Sequence, residues 1–249
     1  MSAGTTLTAR AVGYALGALL VTGLATQAQA ADWHVAPNGT PEATGTENDP
    51  LDLATPEAFL RDPELIWRWY RWRRELVAKA EPNPGHLALA RLAECVPRFT
   101  LVTQNVDGLH QRAGSTDVIE FHGNLFKNRC FVEDCVIESS AHATGDAVPV
   151  CPACGGHLRP GVVWFGEAIP GHALTNSFAA AADCDVFLSI GTSSLVYPAA
   201  GLAEIAKNNG ATVAEINPDP TMHAAGFDHA IAAKAGTVLP EILERVSAK

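Results

Sequence analysis

Four cysteines carry the most specific chemistry in this sequence. Four residues separate Cys130 from Cys135, two separate Cys151 from Cys154, and fifteen lie between the pairs. Two thiol pairs on tight turns can set four sulfurs tetrahedrally around Zn²⁺, a borderline-soft ion that favours thiolate. Pro152, Gly155 and Gly156 give the second turn a compact, permissive backbone. Four thiolates leave no coordination position for water, so the zinc expected here is structural rather than catalytic. Two disulfides or free thiols are the alternative reading. His142 and His157 lie nearby but are not needed as ligands. Cys95 and Cys184 stand alone in helix-like and strand-like contexts and read as small buried hydrophobes.

Three polar loops follow apolar runs. Thr103 to His110 (TQNVDGLH) places Gln104, Asn105 and Asp107 together, an amide pair and a carboxylate suited to hydroxyl and amide recognition. An Asx turn capping the next helix is the alternative. Gly191-Thr192-Ser193-Ser194 follows a strand-like run and precedes a helix-like one, where backbone N–H groups and hydroxyls can form an anion site. Asn217-Pro218-Asp219 ends a third run. His122, between Phe121 and Gly123, reads as a candidate general base, with a structural histidine as the alternative. Tyr70 and Arg73 share one helix face at i and i+3. A phenol and a planar guanidinium fork there could hold a carboxylate, whereas a simple amphipathic helix would bury the aromatics and solvate the arginines.

These groups need elements to position them. Thr55-Pro56-Glu57 and Asp62-Pro63-Glu64 are helix starts, the second predicting a helix to about Ala80. Glu81 to Gly85 is a break, followed by a helix over His86–Cys95. Phe99–Thr103, Asp185–Gly191 and Ala211–Ile216 are apolar, β-rich runs that predict strands, the first two buried. Helices are expected over Leu195–Asn208 and Leu239–Val246, and residues 124–164 are expected to be a loop-rich cysteine module. Strands alternating with helices predict an α/β fold with a parallel sheet. Three polar loops at three strand ends suggest a nucleotide across the top of that sheet.

Composition bounds the function. The chain has 249 residues, 17 Lys+Arg against 27 Asp+Glu, and a net charge of −10. With 47% apolar residues it is too apolar for a disordered chain. The acidic balance argues against nucleic acid or an anionic membrane as the main partner. No apolar run predicts a membrane span. The acidity is uneven, since residues 1–53 contain one basic residue, Arg10, and five acids. Residues 1–30 read as a secretory signal peptide: Arg10, an uncharged run over Ala11–Ala25, and Ala28-Gln29-Ala30 as a cleavage site. Alternatively, Ala18 to Gly23 is a central parallel strand ending in a glycine turn. Residues 31–53 are turn-rich, and their VAPNG turn resembles the start of secreted β-helix proteins.

From about Ala54 to Glu244 the sequence resembles the sirtuins, NAD-dependent protein deacylases. The resemblance is carried, in order, by TQNVDGLHQRAGS (Thr103–Ser115), FHGN (Phe121–Asn124), the four cysteines, VVWFGE (Val162–Glu167), GTSSLVYPA (Gly191–Ala199) and INPDP (Ile216–Pro220). It implies a Rossmann-like parallel sheet with helices on both faces and an inserted zinc module at about 124–164. Under it, residues 54–249 form the catalytic domain, preceded by 1–30 and an atypical 31–53. The resemblance further implies NAD consumed as co-substrate, one structural Zn²⁺, and acylated-lysine peptides as partners of a cytoplasmic monomer. By the same likeness His122 is the general base. Gln104, Asn105, Val106 and Asp107 would contact the nicotinamide ribose. Gly191, Thr192 and Ser193 would serve the phosphates and adenosine, with Asn217, Pro218, Asp219 and Ala235 at the adenosine side. Val163, Trp164, Phe165 and Gly166 would pair with the substrate peptide as a strand. Tyr70 and Arg73 look like the Y-x-x-R pattern of sirtuins that remove succinyl, malonyl and glutaryl groups.

One departure matters. Sirtuins open with a strand ending in Gly-Ala-Gly-x-Ser, then a Pro-Thr-Phe-Arg segment. The nearest approach here, Val21-Thr22-Gly23-Leu24-Ala25-Thr26, has alanine in place of the second glycine, where a diphosphate needs close backbone approach. A secreted protein's start joined near Asp52–Thr55 is the favoured explanation, and a degenerate first strand is the other. Either predicts weak NAD binding. Three functions therefore compete: an active deacylase, a zinc-stapled binding remnant, and an exported protein. Export conflicts with NAD supply and with reduced thiolates.

Overall fold

The computed structural model describes residues 53–137, 147–193, 196–222 and 226–248. The signal-like segment and nearly all of the 31–53 segment lie outside these residues, as do His142 and Ser194.

The chain enters through two short-range helix starts. In α1 (Pro56–Arg61) the Thr55 hydroxyl accepts the Ala58 N–H at 3.1 Å. In α2 (Pro63–Lys79) the Asp62 carboxylate accepts the Leu65 N–H at 2.9 Å. Both caps satisfy donors that the first helical turn leaves orphaned. α3 (Pro84–Cys95) starts two residues before the expected His86, because Pro84 fits the first helical position and Asn83 caps it.

The parallel framework follows: β1 (Leu101–Thr103), α4 (Leu109–Arg112) and β2 (Val118–Glu120), with β1 and β2 parallel. Then come β3 (Gly123–Cys130), β4 (Val136–Ile137) and β5 (Leu158–Val162), a three-stranded antiparallel sheet ordered β4-β3-β5. The cysteine module is thus sheet-built rather than loop-rich. α5 (Gly171–Ala182), β6 (Val186–Ile190), α6 (Gly201–Asn208), β7 (Thr212–Ile216), β8 (His229–Ile231) and α7 (Ala235–Ser247) complete the chain. Strands β6, β7 and β8 are parallel, with β7 in the middle.

Alternation along β7 shows helices on both faces. Ala214 and Ile216 pack with Leu89, Leu92, Val238 and Ile242 of α3 and α7. Val213, pointing the other way, packs with Ala203 and Ala206 of α6. A separate core joins α1 and α2 to the cysteine module through Phe59, Ile66, Trp67, Tyr70, Leu158 and Trp164.

Three expectations change. α6 begins at Gly201, not Leu195, because Pro198 lacks the N–H that an earlier start would need. α7 begins at Ala235 and carries Pro240 inside it. The strands around 99–103 and 185–191 are not fully buried. Leu101, Val102, Phe187 and Leu188 are only half-buried, while Val213 and Ile216 on β7 are buried completely. The reason is topological: the parallel strands form two separate pieces, and among the described residues each of β1 and β6 pairs on one edge only.

Candidate active site

All six cysteines are free thiols, and Cys95, expected to be buried, is exposed because it ends α3. The Sγ atoms of Cys130, Cys151 and Cys154 all lie within 4.8 Å of one another, and Cys130 and Cys154 are 3.5 Å apart. Tetrahedral thiolates on Zn²⁺ stand about 3.8 Å apart, so this donor set fits that ion. Backbone bonds from Cys151 N–H to Gly156 O (2.7 Å) and from Gly155 N–H to Cys151 O (2.8 Å) shape the second turn. Cys135 is exposed and stands outside the tight group. Its backbone carbonyl accepts the Cys130 N–H at 2.9 Å, which holds the first turn against the cluster.

The polar loops leave the carboxyl ends of parallel strands, where ligands of such sheets bind. Gln104, Asn105, Val106 and Asp107 follow β1, Gly191, Thr192 and Ser193 follow β6, Asn217, Pro218 and Asp219 follow β7, and Ala235 opens α7 after β8. Cross-bonds join these loops. The Gln104 side-chain amide donates to the Thr192 hydroxyl at 3.2 Å, and Asn217 donates to the Thr192 carbonyl at 3.0 Å. Gly191 has φ +60°, a left-handed conformation that favours glycine. The Asp107 carboxylate accepts the Leu109 N–H at 2.9 Å, so the Asx-turn reading is realised there. The glycine loop is not itself a helix N-terminus, because α6 starts only at Gly201. Glu215, buried within β7, positions the next turn by accepting both the N–H and the hydroxyl of Thr221, at 3.0 and 2.6 Å.

His122 lies between β2 and β3. Its Nδ1 is 3.1 Å from the Gln104 carbonyl oxygen. A carbonyl can only accept, so Nδ1 carries the proton and Nε2 is left with a free lone pair. That is the tautomer a base requires. Burial lowers the imidazole pKa below its usual value, with the Gln104 bond opposing the shift. Gly123 has φ +78°, and a side chain there would strike the Gly161 carbonyl at 2.1 Å. β3 can approach β5 this closely only with glycine at 123.

The segment expected to meet substrate sits beside this histidine. The Val163 N–H donates to the His122 carbonyl at 2.9 Å, Phe165 N–H to Ala54 O at 2.9 Å, and Trp164 N–H to Glu167 at 2.7 Å. These donors are therefore spent inside the chain, and Gly166 holds the turn at φ +84°. Tyr70 is 1% exposed, and its hydroxyl accepts a bond from Trp164 Nε1 at 2.9 Å. Burial pushes its phenol up to about 12, so it keeps its proton. The Arg73 guanidinium is half-buried and stacks over Trp69 at 4.7 Å and Tyr70 at 5.7 Å. Among the described residues no acceptor pairs with it.

Two groups escaped the sequence reading. Arg159, with its side chain 4% exposed, forms a two-pronged ion pair with Glu167 and lies 3.5 Å over the Trp164 ring. Their eight-residue spacing has no code, and only the VVWFGE motif hinted at Glu167. His86 and His110 stack at 4.7 Å, and burial lowers both, His110 to about 4. A cavity of about 580 Å³ opens between Asp107, Gln111, Arg112, Glu120, Asn124 and Lys127, and His122 is not on its wall. The ion pair of Lys127 and Glu120, at 3.0 Å, occupies that groove.

A parallel sheet with helices on both faces, polar loops at its carboxyl edge and an appended thiolate module define a nucleotide-dependent enzyme class. The Sir2 family profile matches residues 42–198, beginning twelve residues before the resemblance read from the sequence, and the chain belongs to this family. An NAD-dependent protein deacylase of Aquifex aeolicus is 49% identical over 202 residues, covering 80% of this chain and 84% of that protein. NAD-dependent protein deacylase 1 of Pseudomonas aeruginosa is 48% identical over 204 residues, with 79% and 82% covered. Among solved structures, a Sir2 homologue in complex with NAD superposes with a TM-score of 0.75 at 42% identity, covering 81% of this chain and 78% of that one. A Sir2–p53 peptide–NAD⁺ complex gives 0.70 at 29% identity, with 78% and 82% covered.

Proposed function

We propose that this chain is an NAD-dependent protein-lysine deacylase that accepts acetyl groups and acidic acyl groups of the succinyl and malonyl type. The observation that carries the reading is the His122 tautomer. Its free Nε2 belongs to a half-buried imidazole whose Nδ1 faces the Gln104 carbonyl, while the His122 backbone carbonyl accepts the Val163 N–H. When bound, NAD would supply the nicotinamide–ribose bond that breaks and the ribose that takes the acyl group, with one water consumed and nicotinamide, the free lysine and O-acyl-ADP-ribose released. Gln104, Asn105, Val106 and Asp107 hold the ribose end. Gly191, Thr192, Ser193, Asn217, Pro218, Asp219 and Ala235 line the phosphate and adenosine end. His122 Nε2 takes the proton of a sugar hydroxyl, and its low pKa keeps it able to do so at neutral pH. Cys130, Cys151 and Cys154, with Cys135 as fourth ligand, would hold a structural zinc, which would fix β3 and β5 and hence Gly123 beside His122.

The acyl-lysine substrate lies along Val163–Gly166. The Val163 and Phe165 carbonyls and the Gly166 N–H are the backbone groups left for pairing, so few demands fall on peptide sequence. At the far end, Tyr70 offers its phenolic proton and Arg73 its planar fork to a carboxylate. The reduced thiols and the NAD requirement fit the cytoplasm. Among the described residues no helix is long and apolar enough to cross a membrane.

A second reading, an impaired acyl-peptide or nucleotide binder, rests on the sequence departure at Gly23-Leu24-Ala25, where alanine stands in place of the second glycine. Turnover of an acetyl-lysine peptide with and without NAD separates the two. NAD-dependent deacylation supports the enzyme, and peptide binding without turnover at saturating NAD supports the remnant.

A further inference from the structure

The loop that carries His122 is closed at its ends by a side-chain bond. Glu120 ends β2 and Asn124 stands second in β3, so the two flank Phe121-His122-Gly123. The Asn124 side-chain amide donates to Glu120 Oε1, which also accepts the Gln111 amide at 2.8 Å. Lys127 Nζ donates to Glu120 Oε2 at 3.0 Å. One carboxylate thus gathers donors from α4 and β3 at the end of β2. Its side chain is 13% exposed, and a carboxylate so placed is stable only where donors replace the lost water.

These contacts fall where the sheet itself gives least support. The β3–β5 register pairs Gly123 with Val162 and next Asn128 with Pro160, and it shifts in between. Residues 124–127 therefore lack regular ladder partners on β5. Arg74 holds this stretch from the α2 side through the Leu125 and Lys127 carbonyls. Glu120 holds it from the opposite side through the Asn124 and Lys127 side chains. Asn124 works in both directions, since its Oδ1 accepts the Phe126 N–H at 2.8 Å while its amide reaches back to Glu120.

His122 can act as a base in one tautomer only. Nδ1 must keep its proton on the Gln104 carbonyl so that Nε2 presents its lone pair. That contact is 3.1 Å long and crosses from the loop after β1 to the loop after β2. The loop's feet rest on the same segment: Phe121 N–H donates to Thr103 O at 2.9 Å, and Leu125 N–H to Val106 O at 2.8 Å. Between them Gly123 stands at φ +78° and offers the loop's widest backbone freedom. The Glu120–Asn124 bond ties the feet to each other across that glycine.

We propose that Glu120 is a positioning residue for His122: through Asn124 it closes the loop and keeps the imidazole Nδ1 on the Gln104 carbonyl. This rests on the reading of His122 as the base. Glu120 acts as a hydrogen-bond acceptor, not through its charge. In the full chain, Glu120→Ala should lower kcat on an acetyl-lysine peptide by roughly 10–100-fold, since misplacing a catalytic group by about 1 Å costs up to about 100-fold. KM for NAD and for peptide should stay within about twofold. Glu120→Gln keeps an oxygen for the Asn124 amide and should recover most of the lost rate. Long-range proton–nitrogen NMR spectra of chain with nitrogen-labelled histidine, assigned with His122→Ala, report the tautomer without NAD or turnover. The native chain and Glu120→Gln should show His122 protonated on Nδ1, and Glu120→Ala a mixture of tautomers. Zinc content and the melting transition report folding. Should Glu120→Ala not fold, Asn124→Asp carries the same expectations, because it keeps the acceptor for Phe126 and loses only the donor. An unchanged Nδ1 tautomer in the variant without the bond overturns the proposal, whatever the rates. So does a Glu120→Gln chain as slow as the variant without the bond, which would make the charge the active element. Absence of turnover in the native chain would defeat the deacylase reading instead, and the tautomer spectra would still decide the role of Glu120.

Discussion

Replacing Arg73 with methionine tests acyl recognition at a single guanidinium. Arg73 has aromatic faces on Trp69 and Tyr70 but no acceptor among the described residues, and burial lowers its pKa without a nearby carboxylate to restore it. A half-buried cation in that state gains most from an incoming anion. A hydrogen bond to a charged group contributes about 1.5–3 kcal/mol. A two-pronged contact less the desolvation of both ions leaves about 3 kcal/mol, or roughly 150-fold in kcat/KM. Methionine keeps the contact with Trp69, so packing is largely retained. The assay compares Arg73→Met with the native chain on one peptide carrying acetyl-lysine or succinyl-lysine at saturating NAD. Desuccinylation is expected to fall about 100-fold or more, with deacetylation within about threefold. Tyr70→Phe should lose about tenfold on the succinyl peptide alone, because its phenol, held protonated by a pKa of about 12, donates one bond. Equal losses on both peptides would refute the carboxylate contact and make Arg73 a packing residue.

Other outcomes follow from the same contacts. Glu167→Gln leaves the Arg159 guanidinium buried without its countercharge. About 2–3 kcal/mol of stability should be lost, seen as a melting point roughly 5–10 °C lower by calorimetry. His110 has a folded pKa of about 4 against an unfolded value near 6.5, so the unfolded chain binds its proton first as pH falls. Stability should decline from pH 6.5 towards pH 4, by roughly 2 kcal/mol from this group after allowing for its partial exposure. Urea titrations of His110→Gln should show a flatter dependence over that window. Cys151→Ser should lower bound zinc from one per chain towards none by elemental analysis and should loosen β3 and β5 in hydrogen exchange.

What the sequence could and could not reveal follows from the range of each interaction. Thr55 and Asp62 cap their own helices three residues away, so those starts were readable directly, whereas the Asn83 cap lay inside a Pro-Asn-Pro-Gly run that reads as a break. The cysteine pairs were readable because turn geometry ties spacing to coordination. α5 was missed because its alanine-rich run has no side-chain cap and no charged first turn. β3 looked like loop because GNLFKNRC lacks a clean alternation, being built around a glycine contact and a register shift against β5. The start of α7 was hidden by Pro240, which lies inside the helix and reads as a breaker. Tyr70 and Arg73 lie on one side of α2, but the Tyr70 bond to Trp164 spans 94 residues and has no local signature. The same holds for Arg159 over Trp164.

The central claim is that His122 acts as the base in an NAD-consuming deacylation. Mass spectrometry on an acetyl-lysine peptide, following deacylated peptide, nicotinamide and O-acetyl-ADP-ribose together, tests it most directly in the native chain and in His122→Ala. The account predicts equal amounts of the three products from the native chain and none from the variant. It also predicts an acid limb of kcat/KM below pH 6.5, where the imidazole becomes protonated. Deacylation without nicotinamide release, or an undiminished rate in His122→Ala, would contradict it.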